Sequence, residues 1–139
     1  MSFDLTVVWA LIIVFALFVY VVMDGFDLGI GILFPMFEVG YERDTAMNSI
    51  APLWDGNETW LVLGGGGLFA AFPLAYAVIM PAVYAPLIAM LMGLILRGVS
   101  FEYRARTTRL WIWDQAFAGG SMLAAFSQGI ILGAVLQGV

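Results

Sequence analysis

Long apolar runs, separated by a few short charged stretches, set the pattern of this chain. The first, Leu5 to Met23, carries no charge. At about 1.5 Å per residue it is long enough to cross a hydrocarbon core of roughly 30 Å. It continues through Asp24 and Asp27 to about Phe34, where Pro35 is placed to end a helix. Glu38 to Asn48, with Glu42, Arg43 and Asp44, predicts a solvated loop. From Trp60 to Leu96 no charge occurs, nearly twice what one crossing needs. Phe72-Pro73 is the natural point to divide it. The helices expected are 5–34, 50–72, 74–96 and 111–139, with Arg104, Arg106 and Arg109 in a second polar loop before the last.

The arginines test that division. With two crossings between them, the loop of Arg43 and the loop from Arg97 to Arg109 fall on one side. All five cations of the chain are Arg, and all then share that side. By the positive-inside rule it is the cytoplasmic side and the N-terminus is external. Trp111 and Trp113, just beyond the basic loop, suit an aromatic belt at the interface. Met1 to Asp4 lacks the positive charge of a signal peptide, and the first apolar run is too long for one. The fold expected is an all-α integral membrane protein of about four transmembrane helices, forming a single domain over 1–139. The last apolar run has no polar tail, so the expectation is the N-terminal part of a longer subunit.

Composition sharpens this. The chain is 63% hydrophobic and 11% charged, whereas soluble domains sit near half and a quarter. Its net charge of -5 argues against nucleic acid, which requires clustered cations. Cysteine and histidine are both absent, which excludes disulfides, thiolate metal sites and imidazole ligation of haem. Met, carboxylates and backbone are the ligands left, so any redox cofactor is expected on another chain.

The candidate chemistry lies in the acids near the membrane. Asp24 and Asp27 are three residues apart, on one helix face late in the first span. Asp55 and Glu58 repeat the spacing early in the second. A carboxylate facing lipid costs several kcal/mol, so these four should face protein or water. One reading is a proton path; the other is interfacial acids that cap helix starts, the stronger case for Asp55 and Glu58. Arg97 either snorkels to the headgroups or pairs with Asp55 or Glu58 across the bundle. Gly25 and Gly29, and the run Gly64 to Gly67, read as close helix packing in preference to a strip against a bulky cofactor. No Lys follows those glycines, so they do not make a phosphate loop.

Three stretches carry a family resemblance: DGFDLGIGILFP (Asp24 to Pro35), MNSIAPLWDGNETWLVLGGGGLFAAFP (Met47 to Pro73) and LRGVSFEYR (Leu96 to Arg104). They resemble subunit II of the cytochrome bd-type quinol oxidases, including the cyanide-insensitive branch. Family members are longer, with further membrane helices. The resemblance implies a haem-bearing subunit I as partner, carrying b- and d-type haems or a related set, and a small single-helix accessory subunit as a further partner. It implies quinol as the substrate of the complex, oxygen reduced to water, and residence in the bacterial cytoplasmic (inner) membrane. It places the family's proton-route aspartates on Asp27 and Asp55, with Glu58 and Asp24 as adjacent candidates and Arg97 in support. Some family members hold a quinone structurally in this subunit.

The function expected is therefore a non-haem subunit that supports a haem-bearing partner and supplies it with cytoplasmic protons. It is not catalytic alone. Its rivals are a purely structural scaffold and a small proton-coupled transporter, the latter suggested by membrane carboxylates beside glycine-interrupted helices.

Overall fold

A computed structural model describes residues 4–104 and 110–138. Arg106 and Arg109 lie outside these. The described residues form α1 (Leu5–Leu33), a short 3-10 turn (Phe34–Met36), α2 (Tyr41–Ile50), α3 (Trp54–Ala71), α4 (Pro73–Ala82), α5 (Tyr84–Arg104) and α6 (Leu110–Leu136), with no strand among them. Three helical segments are long and apolar enough to cross a membrane: Leu5–Met36, Tyr84–Arg104 and Leu110–Leu136. The more polar α3, opening with Asp55, Asn57 and Glu58, is not one of them.

Local chemistry sets the boundaries. The Asp4 carboxylate accepts the Thr6 amide at 3.0 Å and caps α1. Pro35 sits in the turn that follows. Phe72 leaves the helical region (φ -132°, ψ 65°) because Pro73 crowds the residue before it, and α3 ends there.

Two expectations need correcting. The stretch Glu38 to Asn48 is not a loop throughout, since α2 begins at Tyr41. Glu42 and Asp44 lie at the positive end of its dipole, and Met47 and Ile50 are buried against Phe34 and Phe117. The run 74–96 is not one helix either. Pro86 has no N–H to offer the Ala82 carbonyl and its ring clashes with it, so the chain breaks at Val83 (φ -119°, ψ 20°). Helix α5 then continues past Leu96 to Arg104, because Arg97 and Arg104 find buried partners on α6 there.

Four helices run antiparallel to their neighbours in a ring. Between α1 and α3, Asn57 meets Asp27, Gly64 faces Leu17 and Gly67 faces Ile13. Between α3 and α5, Trp54 stacks on Phe101 with ring centres 4.8 Å apart, and Glu58 meets Arg97. Between α5 and α6, Arg104 meets Asp114 and Gly93 meets Ala124. The ring closes where Gly31 of α1 faces Ser121 of α6 and Tyr20 meets Gln128. The closest backbone-to-backbone approach is at Gly93 and Gly120: a β-carbon on either would lie 2.7 Å from the carbonyl oxygen of the other. Gly25 and Gly29, by contrast, have nothing within 4 Å of a β-carbon in this chain, so they do not pack these helices together.

The burial pattern is inverted relative to a water-soluble bundle. Phe18, Val62 and Phe126 face outward, 65%, 70% and 71% exposed. Asp24, Asp27, Asn57, Arg97, Ser100, Asp114 and Ser121 are buried inside. An apolar exterior around a polar interior suits a lipid or protein surround, where interior polar groups satisfy one another.

Candidate functional site

The interior polar residues form two networks. The first lies where α1, α3, α5 and α6 meet. Asp24 and Asp27 project inward from α1 and are fully buried. Asn57 of α3 donates from Nδ2 to Asp27 Oδ2 at 2.7 Å and reaches the Met23 carbonyl at 3.4 Å, so its amide ties the two helices together at the acids. Glu58, the next residue along α3, accepts from Arg97 Nη1 at 3.1 Å. Arg97, fully buried on α5, also donates from Nε to Ser121 Oγ on α6 at 2.9 Å. Its guanidinium lies over the rings of Phe101 and Phe117, 5.8 and 5.5 Å from their centres.

Two polar groups in this network have atoms without a hydrogen-bond partner in the structure: both carboxyl oxygens of Asp24, and Arg97 Nη2. They act on each other electrostatically, and Asp27 and Tyr20 lie within reach of Asp24 as well. Three carboxyl groups therefore surround one buried guanidinium. The charge of such a set depends on how many protons it holds.

Of the acids singled out in the sequence, the structure brings Asp24, Asp27 and Glu58 together with Arg97. Asp55 stands apart. It is exposed, on the wall of an open groove of about 460 Å³ between α3 and α5, shared with Trp54, Glu58, Leu94 and Gly98. Glu58 borders both the groove and the cluster, and feels the charge of Asp55 as well as that of Asp24. Arg97 resolves to pairing with Glu58 and not to a headgroup. Asn57 and Ser121 were not singled out from the sequence. Asn57 sits between two noticed acids in Asp55-Gly56-Asn57-Glu58, but nothing in that string shows which of its side chains turns inward.

The second network lies at the end of the bundle that holds α2. Asp114 of α6 accepts from Arg43 Nη1 at 3.0 Å and from Arg104 Nε, and Arg104 Nη1 reaches Asp44 at 2.9 Å. Both guanidiniums lie over the Phe34 ring. Arg104, read from the sequence as a solvated loop charge, is instead buried, as is Asp114. The signal available was the single acid Asp114 opening an apolar run opposite two arginines.

With no His or Cys in the sequence and no cluster of three metal-ligating acids among the described residues, the donor set does not suit haem iron.

A family model described as cytochrome bd terminal oxidase subunit II matches residues 5–139. Similar curated proteins include a probable cytochrome oxidase subunit 2 of Haemophilus influenzae and the cytochrome bd-I ubiquinol oxidase subunit 2 of Escherichia coli. Each is 39% identical over 136 residues, covering 95% of this chain. The cytochrome bd ubiquinol oxidase subunit 2 of Bacillus subtilis is 37% identical over 135 residues, 92% of this chain. The chain spans 36% of the length of the first two relatives and 39% of the third.

Proposed function

The chain belongs to the cytochrome bd terminal oxidase subunit II family, and from that premise we propose that it forms part of the non-haem subunit of a quinol:oxygen oxidoreductase. In this reading the bd-type complex oxidises quinol and reduces oxygen to water in the bacterial cytoplasmic membrane. Its haems, b- and d-type or a related set, sit in subunit I. This chain supports that subunit and carries protons toward it from the cytoplasm. A small accessory subunit is a further partner, and one quinone held structurally is compatible with the apolar exterior.

The observation that carries the proton role is the buried set Asp24, Asp27, Glu58 and Arg97, within a bundle whose outer surface is apolar. Charges so placed are costly unless they serve a function or are matched one to one, and here three acids face a single cation. Asp55, on the open groove, is the entry residue. Glu58, bordering groove and cluster, receives the proton next, and Asp27 and Asp24 hold it on α1.

In this reading α1, α3, α5 and α6, which lie antiparallel to their neighbours, make four membrane passes, with α4 as a connector between the second and third. The end holding Arg43 and Arg104 then faces the cytoplasm and the N-terminus faces outward. That orientation gives Asp55 access to the side from which protons are drawn.

A scaffold role is the second reading, favoured by the network of Arg43, Arg104, Asp114 and Asp44, whose two cations and two acids match. Steady-state oxygen consumption by the haem-complete oxidase separates the two. Replacing Glu58 with Gln slows turnover if it relays protons and leaves turnover intact if it only braces helices.

A further inference from the structure

The seam between α5 and α6 repeats one contact with two different acceptors. Arg97 and Arg104 lie seven residues apart on α5, and Asp114 and Ser121 seven apart on α6, about two turns in each case. Because the helices run antiparallel, the two pairs fall in register. Arg104 donates from Nε to Asp114 Oδ1, and Arg97 donates from Nε to Ser121 Oγ at 2.9 Å. One arginine therefore meets a carboxylate and the other a neutral hydroxyl. Ser121 is fully buried and packs against Gly31 of α1, where a β-carbon would run into its hydroxyl.

We infer that Ser121 is a positioning residue for proton supply: its hydroxyl orients Arg97 toward Glu58 and, being neutral, leaves the charge of Arg97 to the acids. The inference deepens the proton-supply reading and rests on it. A guanidinium is planar, and its Nε–H lies in that plane. Holding Nε–H on Ser121 therefore sets where Nη1 points, which is at Glu58, 3.1 Å away. The Phe101 and Phe117 rings attract the same cation without choosing a direction for its N–H groups. Phe117 stands one turn before Ser121, so α6 supplies both a ring and the hydroxyl. A carboxylate at position 121 would hold the same Nε–H but also pair with the cation, as Asp114 does with Arg104. Glu58 would then share its counter-charge with a second fixed acid.

The test uses the full-length subunit in the assembled, haem-complete oxidase, with oxygen turnover measured against quinol concentration in H2O and in D2O. Ser121→Ala removes only the hydroxyl. It is expected to lower kcat roughly three- to tenfold, the loss of one hydrogen bond, with the KM for quinol unchanged. The solvent isotope effect rises, because proton delivery then limits turnover. Ser121→Cys, whose sulfur accepts weakly, falls between alanine and the native residue. Ser121→Asp restores a strong acceptor yet stays at least as slow as alanine, which a merely structural bond would not do. In a Glu58→Gln background Ser121→Ala causes no further loss, because the hydroxyl acts through Arg97 on that acid. Native kcat and isotope effect in Ser121→Ala, native turnover in Ser121→Asp, or equal losses in both backgrounds overturn the inference. The alanine variant, smaller than serine, decides the matter if the aspartate variant does not assemble. A slow Glu58→Gln with a native Ser121→Ala defeats this inference alone. Native turnover in Glu58→Gln defeats the proton reading of that acid and this inference with it.

Discussion

Asn57 of α3 donates to Asp27 of α1 at 2.7 Å, in a place where neither side chain meets solvent. The bond joins α1 and α3, together with the contact from the same amide to the Met23 carbonyl, and it orients one acid of the α1 pair. Asn57→Leu leaves the Asp27 carboxyl without that donor. The expected cost is about 1–3 kcal/mol, read as a lower midpoint temperature for the assembled complex. Asn57→Ser, which retains a shorter donor, should fall between Leu and the native residue.

Arg97 and Glu58 should show strong coupling. Arg97→Met leaves Glu58 and the α1 acids without their cation, at a cost of about 3–5 kcal/mol. Adding Glu58→Gln removes one of the stranded charges and should recover a large part of that loss. A double-mutant cycle on thermal stability gives the coupling directly. Strict additivity would mean that the 3.1 Å ion pair contributes nothing.

At the other end of the bundle, Asp114 and Asp44 bind the same arginine but should differ sharply. The Asp114 side chain is 3% exposed and serves two guanidiniums; that of Asp44 is 53% exposed and serves one. Asp114→Asn is expected to cost about 3–5 kcal/mol, since it strands buried charge. Asp44→Asn should cost about 0–1 kcal/mol and less at high salt. Chemical or thermal unfolding in detergent at two salt concentrations separates them.

The glycines sort by contact. Gly93→Ala and Gly120→Ala each drive a β-carbon to 2.7 Å from an opposing backbone carbonyl. Backbone cannot swing aside as a side chain can, so each should cost about 1–3 kcal/mol. Gly25→Ala and Gly29→Ala meet nothing within this chain. In a bundle without a partner they should be neutral or slightly stabilising, by up to about 1 kcal/mol. If they weaken assembly of the full complex, the open face of α1 is a partner contact.

Hydropathy made the membrane character and much of the helical layout legible, because span length and charge exclusion act residue by residue. It did not reveal α2. There the deciding contacts are Met47 and Ile50 on a distant phenylalanine pair, which no local window contains. The break at Val83 was legible in principle, through Pro86, but apolar continuity from Leu74 to Leu96 concealed it. At the site, Asp24, Asp27, Glu58 and Arg97 stood out as charges within apolar surroundings. Asn57, Ser121 and Asp114 did not, because their importance depends on what faces them across a helix seam. Asp55, read with the other three acids as facing protein or water, lies on the open groove and outside the buried cluster.

The central claim is that the buried acids pass protons to the site of oxygen reduction, and Asp27 is the residue that tests it most directly. The measurement is oxygen turnover by purified, haem-complete oxidase carrying Asp27→Asn in the full-length subunit, with haem content verified by its reduced-minus-oxidised spectrum. The account predicts a fall of at least about tenfold at unchanged haem content, as expected when a proton-transferring group is lost. Native turnover with native haem content would contradict it and leave the buried acids as structural groups.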